Sequence, residues 1–406
     1  MRTALVLLHR WFGLAVALFL FIAGVTGAVI SWDHELDAWL NPTLYEAKSS
    51  GTPKPSLELA AIVEAADPRV RVTYLPLGVE PNEALQMSVS PRVDPATGKL
   101  YDVNYNQVAI DPVSGEIQGQ RYWGKVSLTR ENLLPFLYKL HYSMHIPDMS
   151  GIEIGVLFMG IIGIVWVVDC FIALYLSFPN FSSWRKSFAF RWKQGGHKLN
   201  FDLHRSGGVW VWLLLLLLAV TSVSMNLNTE VMRPVVSWFS TLSPSPFASR
   251  TPVLAEKAPE PKMTAPQIIT LAQQEAVRRG WSDPAGGLFY SAEFDLFGVG
   301  FFKPGNDHGD GGLGNPWLYF DAQNGSAAGA EVPGTGTAGD IFMQAQFPLH
   351  SGRILGITGR VLISLMGAVV AMLSVTGIVI WVRKRRARVL QQRRDDLPQG
   401  VVSDAI

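Results

Sequence analysis

Four long apolar segments dominate the hydropathy pattern of the chain. Each holds about 20 residues or more, the length that an α-helix needs to cross the roughly 30 Å hydrocarbon core of a membrane. The segments cover residues 11–32, 152–178, 207–225 and 357–381. The first is predicted to be retained, because it lacks an Ala-x-Ala cleavage site and continues into the acidic segment 33–35. We therefore expect a mainly α-helical membrane protein with four transmembrane helices.

Two stretches between these segments have the pattern of small α/β domains. Each begins with a helical pattern, continues with alternating strand-like positions, and ends in a hairpin whose turn carries Asp and Gly. The helical patterns cover 56–66 and 265–279, the strand patterns 85–89 and 298–302, and the hairpins 108–115 and 318–325. The predicted fold is a four-transmembrane-helix bundle with two extramembrane α/β domains.

The predicted boundaries follow from these patterns. In chain order they are helix one at 1–32, domain one at 33–150, helix two at 151–178, a loop at 179–206, helix three at 207–226, domain two at 227–350, helix four at 356–382 and a tail at 383–406. The Pro/Ser-rich segment 241–261 is predicted to be a linker. The Gly/Asp-rich segment 303–316 is predicted to be a mobile loop between two strands, and the last 18 or so residues are expected to be disordered.

Basic residues mark one side of the membrane. Arg2 and Arg10 precede the first helix, six Lys or Arg residues lie between helices two and three, and the basic run 383–388 follows helix four. The positive-inside rule places these three segments and both termini in the cytoplasm. The α/β domains then lie outside, which in a bacterium is the periplasm. We expect a multi-pass protein of the bacterial inner membrane, with lipid as one partner.

Composition and motifs exclude several classes of function. Only 17% of the residues are charged, the formal net charge is +1, and Cys170 is the single cysteine. No nucleic-acid partner is expected, and an intrachain disulfide or a cysteine-based metal site is excluded. The chain contains no P-loop, no Gly-x-Gly-x-x-Gly strand–helix signal, no Gly-x-Ser-x-Gly and no His-Glu-x-x-His. Nucleotide binding and hydrolysis therefore have no support.

The two halves of the chain repeat each other. The first helix opens with Leu-His-Arg at 8–10, and the third opens with the same three residues at 203–205. The second and fourth helices are each preceded by a histidine with two glycines downstream: His145 with Gly151 and Gly155, and His350 with Gly356 and Gly359. A histidine therefore stands at matching positions before all four helices.

These histidines pair by side of the membrane. His9 and His204 can meet on the cytoplasmic side, and His350 can meet His145 or His141 on the outer side. Two imidazoles that face each other across a helix bundle are typical axial ligands of b-type haem. The sequence thus predicts two haems, with His9, His204, His145 and His350 as the iron ligands and His141 as the alternative to His145. His145 is preferred because its spacing to the following glycines resembles that of His350.

Small and basic residues accompany the cytoplasmic histidines. Gly13 and Gly208 each follow a histidine by four residues, which places them on the same helix face, where a porphyrin needs room. Arg10 and Arg205 lie at the water boundary and could pair with haem propionates. Ordinary positive-inside charge explains these arginines equally well.

Other interpretations of the polar residues stay open. His141 and His145, four residues apart, could bind zinc or copper if they share a helix, with His34 and Glu35 near by. His34 is also a third candidate for the outer haem site. Asp169 lies inside the second apolar segment, where a carboxylate could relay a proton, pair with Arg10 or Arg205, or make a structural hydrogen bond.

The chain resembles the PepSY-associated transmembrane helix family, which includes iron-regulated membrane proteins and ferric-siderophore reductases. The matching motifs lie at 8–11, 13–14, 26–27, 35–37, 41–42, 140–142, 202–205, 349–350, 376–377 and 381. The resemblance covers the whole chain and implies that the outside domains are PepSY-like. It also implies two haems and reduction of a ferric siderophore in the periplasm with release of Fe²⁺. The siderophore and the electron donor, a quinol or a cytoplasmic reductase, are not specified by the motifs.

Two other classes of function compete with a di-haem reductase. In the first, the PepSY-like domains bind or restrain a partner and the helices only anchor them. In the second, the chain is a transporter, which the expected lack of broken helices and of midplane polar sites makes less favoured. A reductase of this kind should purify red, and the other two should be colourless.

Overall fold

The computed structural model describes residues 1–149 and 151–395. The chain divides into two compact units, each assembled from parts of both repeats. One contains the described residues of 1–29, 140–228 and 362–395, and is called the helical unit here. The other contains residues 30–139 and 229–361, and is called the sheet unit.

The described residues form twelve α-helices and eight β-strands. The helices are α1 (Arg2–Ile30), α2 (Asp33–Leu40), α3 (Pro42–Tyr45), α4 (Ser56–Ala66), α5 (Leu133–Ser143), α6 (Ile154–Ser177), α7 (Gly196–Trp210), α8 (Trp212–Asn226), α9 (Arg233–Ser237), α10 (Ala265–Arg278), α11 (Ala338–Ser351) and α12 (Gly356–Asp395). The strands are β1 (Val70–Pro76), β2 (Leu85–Pro91), β3 (Gln107–Ile110), β4 (Ile117–Arg121), β5 (Ala285–Ser291), β6 (Leu296–Phe301), β7 (Trp317–Asp321) and β8 (Ala327–Glu331). Short 3₁₀ turns occupy Arg130–Asn132, Phe181–Ser187, Trp192–Gln194, Ala255–Lys257 and Arg353–Leu355, and a π turn occupies Asn228–Met232.

Three helices of the described chain are long and apolar enough to cross a membrane, namely α1, α6 and α12. A fourth span is formed if α7 and α8 are counted together, but the two are bent by 71° at the break between them. The expectation that the spans lack broken helices is therefore wrong for the third span. Part of the predicted loop 179–206 is also helical, because α7 begins at Gly196.

In the helical unit, close contacts at glycines hold the helices together. An added Cβ at Gly24 of α1 would lie 2.6 Å from the carbonyl oxygen of Gly367 in α12. On the other helix pair, Gly163 of α6 packs against Val223 of α8, with 3.1 Å between an added Cβ and the valine side chain. Small residues permit this close approach, which drives helix association in membranes by van der Waals contact.

The sheet unit contains one continuous antiparallel sheet that joins the two repeats. The strand order is β4-β3-β2-β1-β5-β6-β7-β8, so the first four strands come from the first repeat and the last four from the second. The junction pairs β1 with β5, with Tyr74 opposite Phe289 and Leu75 opposite Leu288. The two predicted α/β domains thus share a single sheet.

Each half of the sheet has its own apolar core beneath one helix. Leu59 and Val63 of α4 are buried against the first four strands, and Ile268 and Ala272 of α10 against the last four. The predicted helices, strands and hairpins coincide with observed elements, which confirms the α/β prediction for both repeats.

The ends of the chain differ in part from the expectation. Helix α12 runs for 40 residues, about 60 Å at 1.5 Å per residue, and so extends well past the predicted end of helix four at 382. Residues 383–395 of the predicted tail are therefore helical. The remainder of that tail, 396–406, lies outside the described residues.

Candidate functional site

Two histidines and their partners from the neighbouring helices form a cluster in the helical unit, called the His9 site here (His9, Asp169, His204 and Thr376). His9 Nδ1 lies 2.8 Å from Asp169 Oδ1 and 3.1 Å from Oδ2. A carboxylate only accepts hydrogen bonds, so Nδ1 carries a proton, and in the neutral ring the lone pair resides on Nε2. Asp169 thereby sets the tautomer of His9, as outer-shell carboxylates do for metal-binding histidines.

His204 is held in the same tautomer by α12. Its Nδ1 lies 3.0 Å from the carbonyl oxygen of Leu373 and 3.1 Å from Thr376 Oγ1. The Thr376 hydroxyl donates to the carbonyl of Met372 at 2.8 Å, which leaves its oxygen to accept from the imidazole. His204 therefore also donates through Nδ1 and carries its lone pair on Nε2.

The rings of His9 and His204 lie close together. Their centres are 6.1 Å apart and their planes are tilted by 47°. A metal ion bound to one nitrogen of each of two imidazoles, at about 2.0–2.1 Å, holds the ring centres roughly 6 Å apart. The spacing of the two rings therefore fits one iron between them.

The surroundings of the two rings offer space and positive charge. An added Cβ at Gly13 would meet no atom within 4 Å, and one at Gly208 would lie 3.9 Å from its nearest neighbour. The Nε atoms of Arg10 and Arg205 are buried and have no hydrogen-bond partner among the described residues. Two orphaned guanidinium N–H groups at matching repeat positions suit the carboxylates of an anionic ligand such as a haem.

A third histidine occupies an equivalent environment at the far end of α1, called the His141 site here (Ala23, Thr26, Gly27 and His141). His141 Nδ1 lies 3.0 Å from the carbonyl oxygen of Ala23 and 3.1 Å from Thr26 Oγ1. Thr26 donates to the carbonyl of Ile22 at 2.7 Å. His141 thus has the same tautomer as His204 and the same pair of neutral acceptors.

A glycine follows the threonine at both sites and lets the imidazole lie against the helix. An added Cβ at Gly27 would be 2.9 Å from His141 Cε1, and one at Gly377 would be 3.0 Å from His204 Cε1. Real Cβ atoms essentially never approach closer than 3.0 Å, so a larger residue at Gly27 would displace His141, and one at Gly377 would require His204 to shift by a few tenths of an ångström. The Thr-Gly pair is thus part of each histidine site.

His145 does not share a helix with His141. Helix α5 ends at Ser143, and both Met144 and His145 have positive φ angles, 52° and 53°. The proposed i, i+4 helical pair for zinc or copper is therefore wrong. In the part of the chain that the structure describes, no group of three or more His, Cys, Asp or Glu side chains could hold a metal ion.

His350 and His34 lie in the sheet unit. His350 occupies the last turn of α11, just as His141 occupies the last turn of α5, and each follows a leucine. His34, on α2, has its Nε2 3.9 Å from Glu83 Oε1, and this contact raises the pKa of His34 above its usual value. The structure thus brings His9 and His204 together. The surroundings of the other candidates are those given above for His141, His145, His350 and His34.

Sequence reasoning missed several partners in these sites. Asp169 makes a hydrogen bond to a neighbouring helix, which was one of the expected alternatives, but its partner is His9 rather than Arg10 or Arg205. The sequence alone does not identify Thr26 and Thr376 as hydrogen-bonding residues. The signal that could have found them is the repeat itself. Thr-Gly occurs at 26–27 and again at 376–377.

The comparison with protein families agrees with this organisation. A family described as "PepSY-associated TM region" matches residues 6–384, nearly the whole chain. No curated protein matches the chain closely enough to count as a relative. The chain belongs to the PepSY-associated transmembrane family.

Proposed function

We propose that this protein is a di-haem oxidoreductase of the bacterial inner membrane that reduces ferric siderophore in the periplasm and releases Fe²⁺. The observation that carries the proposal is the His9–His204 pair, whose ring centres are 6.1 Å apart. Both rings carry their lone pairs on Nε2, because both Nδ1 atoms donate to fixed acceptors. Both residues would therefore have Nε2 available to bind the iron of a haem.

The residues at the His9 site fit a b-type haem in three respects. His9 and His204 would bind the iron, one from each side. The space beside Gly13 and Gly208 would accept the porphyrin edge, and the buried Nε–H groups of Arg10 and Arg205 would pair with propionates. A bound haem supplies a one-electron couple, whose potential depends on its ligands and their hydrogen bonds.

A second haem at the other end of the helices is proposed from the sequence, with His350 as one ligand. The candidates for its partner are His141 and His145. The geometry favours His141, because it repeats the environment of His204 and shares with His350 a place in the last turn of a helix. His34 is retained as a third candidate.

The direction of electron transfer in the proposed reaction is inferred from the three basic segments of the sequence. They place the His9 end in the cytoplasm by the positive-inside rule, where electrons would enter from a quinol or a cytoplasmic reductase. The sheet unit would then lie in the periplasm with the ferric siderophore. Hard oxygen-donor chelators hold Fe³⁺ more tightly than Fe²⁺, so adding one electron to the chelated iron weakens the complex and releases the metal.

The decisive experiment is a visible spectrum of the purified protein, oxidised and dithionite-reduced, with the haem content per chain. We expect about two b-type haems per chain in the wild type and about half as much in His9→Ala or His204→Ala. His197→Ala, which alters another histidine of α7, should keep the full haem content. A colourless wild-type protein would instead favour a membrane-anchored regulator or binding protein, and full haem in both single variants would reject this ligand pair.

The acceptor is tested separately. Reduced protein in detergent should be re-oxidised by a ferric siderophore, with Fe²⁺ captured by a ferrous chelator. His350→Ala should slow this reaction strongly while the haem at the His9 site remains reducible. An unchanged rate would place the exit elsewhere, and no reaction with a panel of ferric siderophores would point to a different acceptor.

A further inference from the structure

The two repeats differ at one position that contacts a paired histidine. Met-Gly occurs at 159–160 and again at 366–367, which aligns the two repeats. The residue ten positions after the methionine contacts a paired histidine, and it is Asp169 in the first repeat and Thr376 in the second. Both residues accept a hydrogen bond from the Nδ1 of the histidine that opens the same repeat, His9 or His204. The first repeat therefore has a carboxylate where the second has a hydroxyl.

The carboxylate is well placed to act on its histidine. Both oxygens of Asp169 lie within 3.1 Å of His9 Nδ1, and only 12% of its side chain is exposed. His204 and His141 have instead a backbone carbonyl and a threonine hydroxyl, both neutral. Among the Nδ1 contacts described for these three histidines, that of His9 is the one made to a carboxylate.

No arginine competes for this carboxylate among the described contacts. Arg205 donates to the carbonyl of Lys186 and lies 3.9 Å from Asp202, and the guanidinium of Arg10 lies over the ring of Trp11. The negative charge of Asp169 is therefore directed at the His9 imidazole, in surroundings where water screens it poorly.

We infer that Asp169 is a positioning residue that lowers the reduction potential of the His9 site. The inference rests on the proposed function, since it concerns a metal bound at His9 Nε2. A carboxylate that accepts from Nδ1 draws the proton toward itself and makes Nε2 a stronger donor. A stronger donor with negative charge behind it stabilises Fe³⁺ over Fe²⁺. The single electron is then held less tightly at this site, which favours its departure toward the other end of the helices.

The test is a redox titration of the purified, haem-loaded full chain, followed in the visible spectrum. Asp169→Asn removes the charge and keeps an acceptor oxygen, and Asp169→Thr installs the residue of the second repeat. At a fixed applied potential, each variant should raise the ratio of reduced to oxidised haem at the His9 site at least tenfold. For a one-electron couple this corresponds to a rise of about 59 mV in the reduction potential. Thr376→Val is the matched control. It leaves the Leu373 carbonyl as the acceptor for His204 and should change this ratio much less.

The outcomes separate this inference from the proposed function. A wild-type protein without haem overturns both. A haem-loaded wild type whose potential is unchanged in Asp169→Asn and Asp169→Thr overturns only the role of Asp169. If both variants lose the haem, the reciprocal Thr376→Asp decides, because a second carboxylate at the His9 site should lower the potential, and a potential that stays or rises overturns the inference.

Discussion

The Nδ1 atom of His141 lies 3.0 Å from the carbonyl oxygen of Ala23, three residues before Thr26. His204 has the same relationship with Leu373, three residues before Thr376, again at 3.0 Å. The two histidines come from different repeats and from different ends of the helices. The same rule therefore positions both rings. The helix provides a carbonyl oxygen and a threonine hydroxyl that accept from Nδ1, and the glycine after the threonine leaves space for the imidazole.

The glycine of this rule can be tested first. Gly27→Ala should displace His141, because the new methyl group would lie 2.9 Å from the imidazole, and Gly377→Ala, at 3.0 Å, should force His204 to shift by a few tenths of an ångström. Each variant is expected to lose roughly half of the bound haem. Gly207→Ala is the control, since its Cβ would make an ordinary 3.5 Å contact with the flexible end of Met372. Full haem content in both test variants would show that the rings need no close packing.

A second prediction concerns the open space beside His9. Gly13→Leu should not lower the thermal stability of the haem-free chain, because an added Cβ meets no protein atom within 4 Å and leucine favours a helix more than glycine does. If a porphyrin fills that space, the leucine side chain should strongly reduce haem binding at the His9 site. Measuring the haem content and the unfolding temperature together checks both parts. Unaltered haem content would place the porphyrin on another side of the histidine.

The buried Nε of Arg10, the residue that follows His9 in the sequence, gives a third prediction. Arg10→Gln should weaken haem binding roughly 10–100-fold, since a hydrogen bond to a charged group contributes about 1.5–3 kcal/mol. Haem transfer to apomyoglobin measures the loss. Arg2→Gln serves as the control, because Arg2 already donates to the carbonyl of Leu176 at 2.9 Å. Equal loss rates in the two variants would mean that Arg10 contributes only general positive charge.

Local sequence patterns were sufficient for the elements of the sheet unit. The helical pattern 56–66 coincides with α4, and the hairpin pattern 108–115 coincides with the turn between β3 and β4. These features depend on neighbours in sequence, namely the alternation of apolar residues and the conformational needs of a turn. The turn glycine Gly115 indeed has φ +81°.

Long-range relationships could not be predicted in the same way. The pairing of β1 with β5 depends on two strands more than 200 residues apart, and no periodicity encodes it. The bend between α7 and α8 lies inside an apolar stretch whose residues suit a straight helix apart from Gly207 and Gly208. The contact of His9 with Asp169 required the packing of α1 on α6. The repeat could identify equivalent residues, but it could not show which of them meet.

A buried ion pair gives a fourth prediction, on stability. Arg121 and Asp37 are 2.6 Å apart, and each side chain is only 5% exposed. Asp37→Ala should destabilise the protein by about 3–5 kcal/mol, because it leaves a buried guanidinium without its partner charge. The exposed pair of Lys48 and Glu116 is the control, and Lys48→Ala should change stability by less than about 1 kcal/mol. A small effect of Asp37→Ala in denaturant unfolding would contradict the role of this pair.

Carboxylates in the hairpin turns of the two repeats make the stability of the protein depend on pH in the acidic range. Burial alone would raise the pKa of Asp111, but the backbone N–H groups of Ser114, Val113 and Ser49 outweigh it and lower the pKa to about 2. A carboxylate with a lowered pKa stabilises the fold above its unfolded value of 3.8, and this contribution is lost as the pH falls toward 2. The pKa of Asp321, at the same turn position in the second repeat, is lowered as well.

We therefore expect the unfolding temperature of the wild type to fall between about pH 4 and pH 2. The double variant Asp111→Asn/Asp321→Asn cannot ionise at these positions, so it should be less stable at pH 5 and should lose less on acidification. Glu116→Gln is the matched control, because Glu116 lies beside the same turn but is exposed and bonds Lys48. Its acid dependence should follow the wild type. A group that gains no proton contributes nothing to the pH dependence of stability. If the double variant nevertheless follows the wild type, other carboxylates dominate the loss of stability in acid.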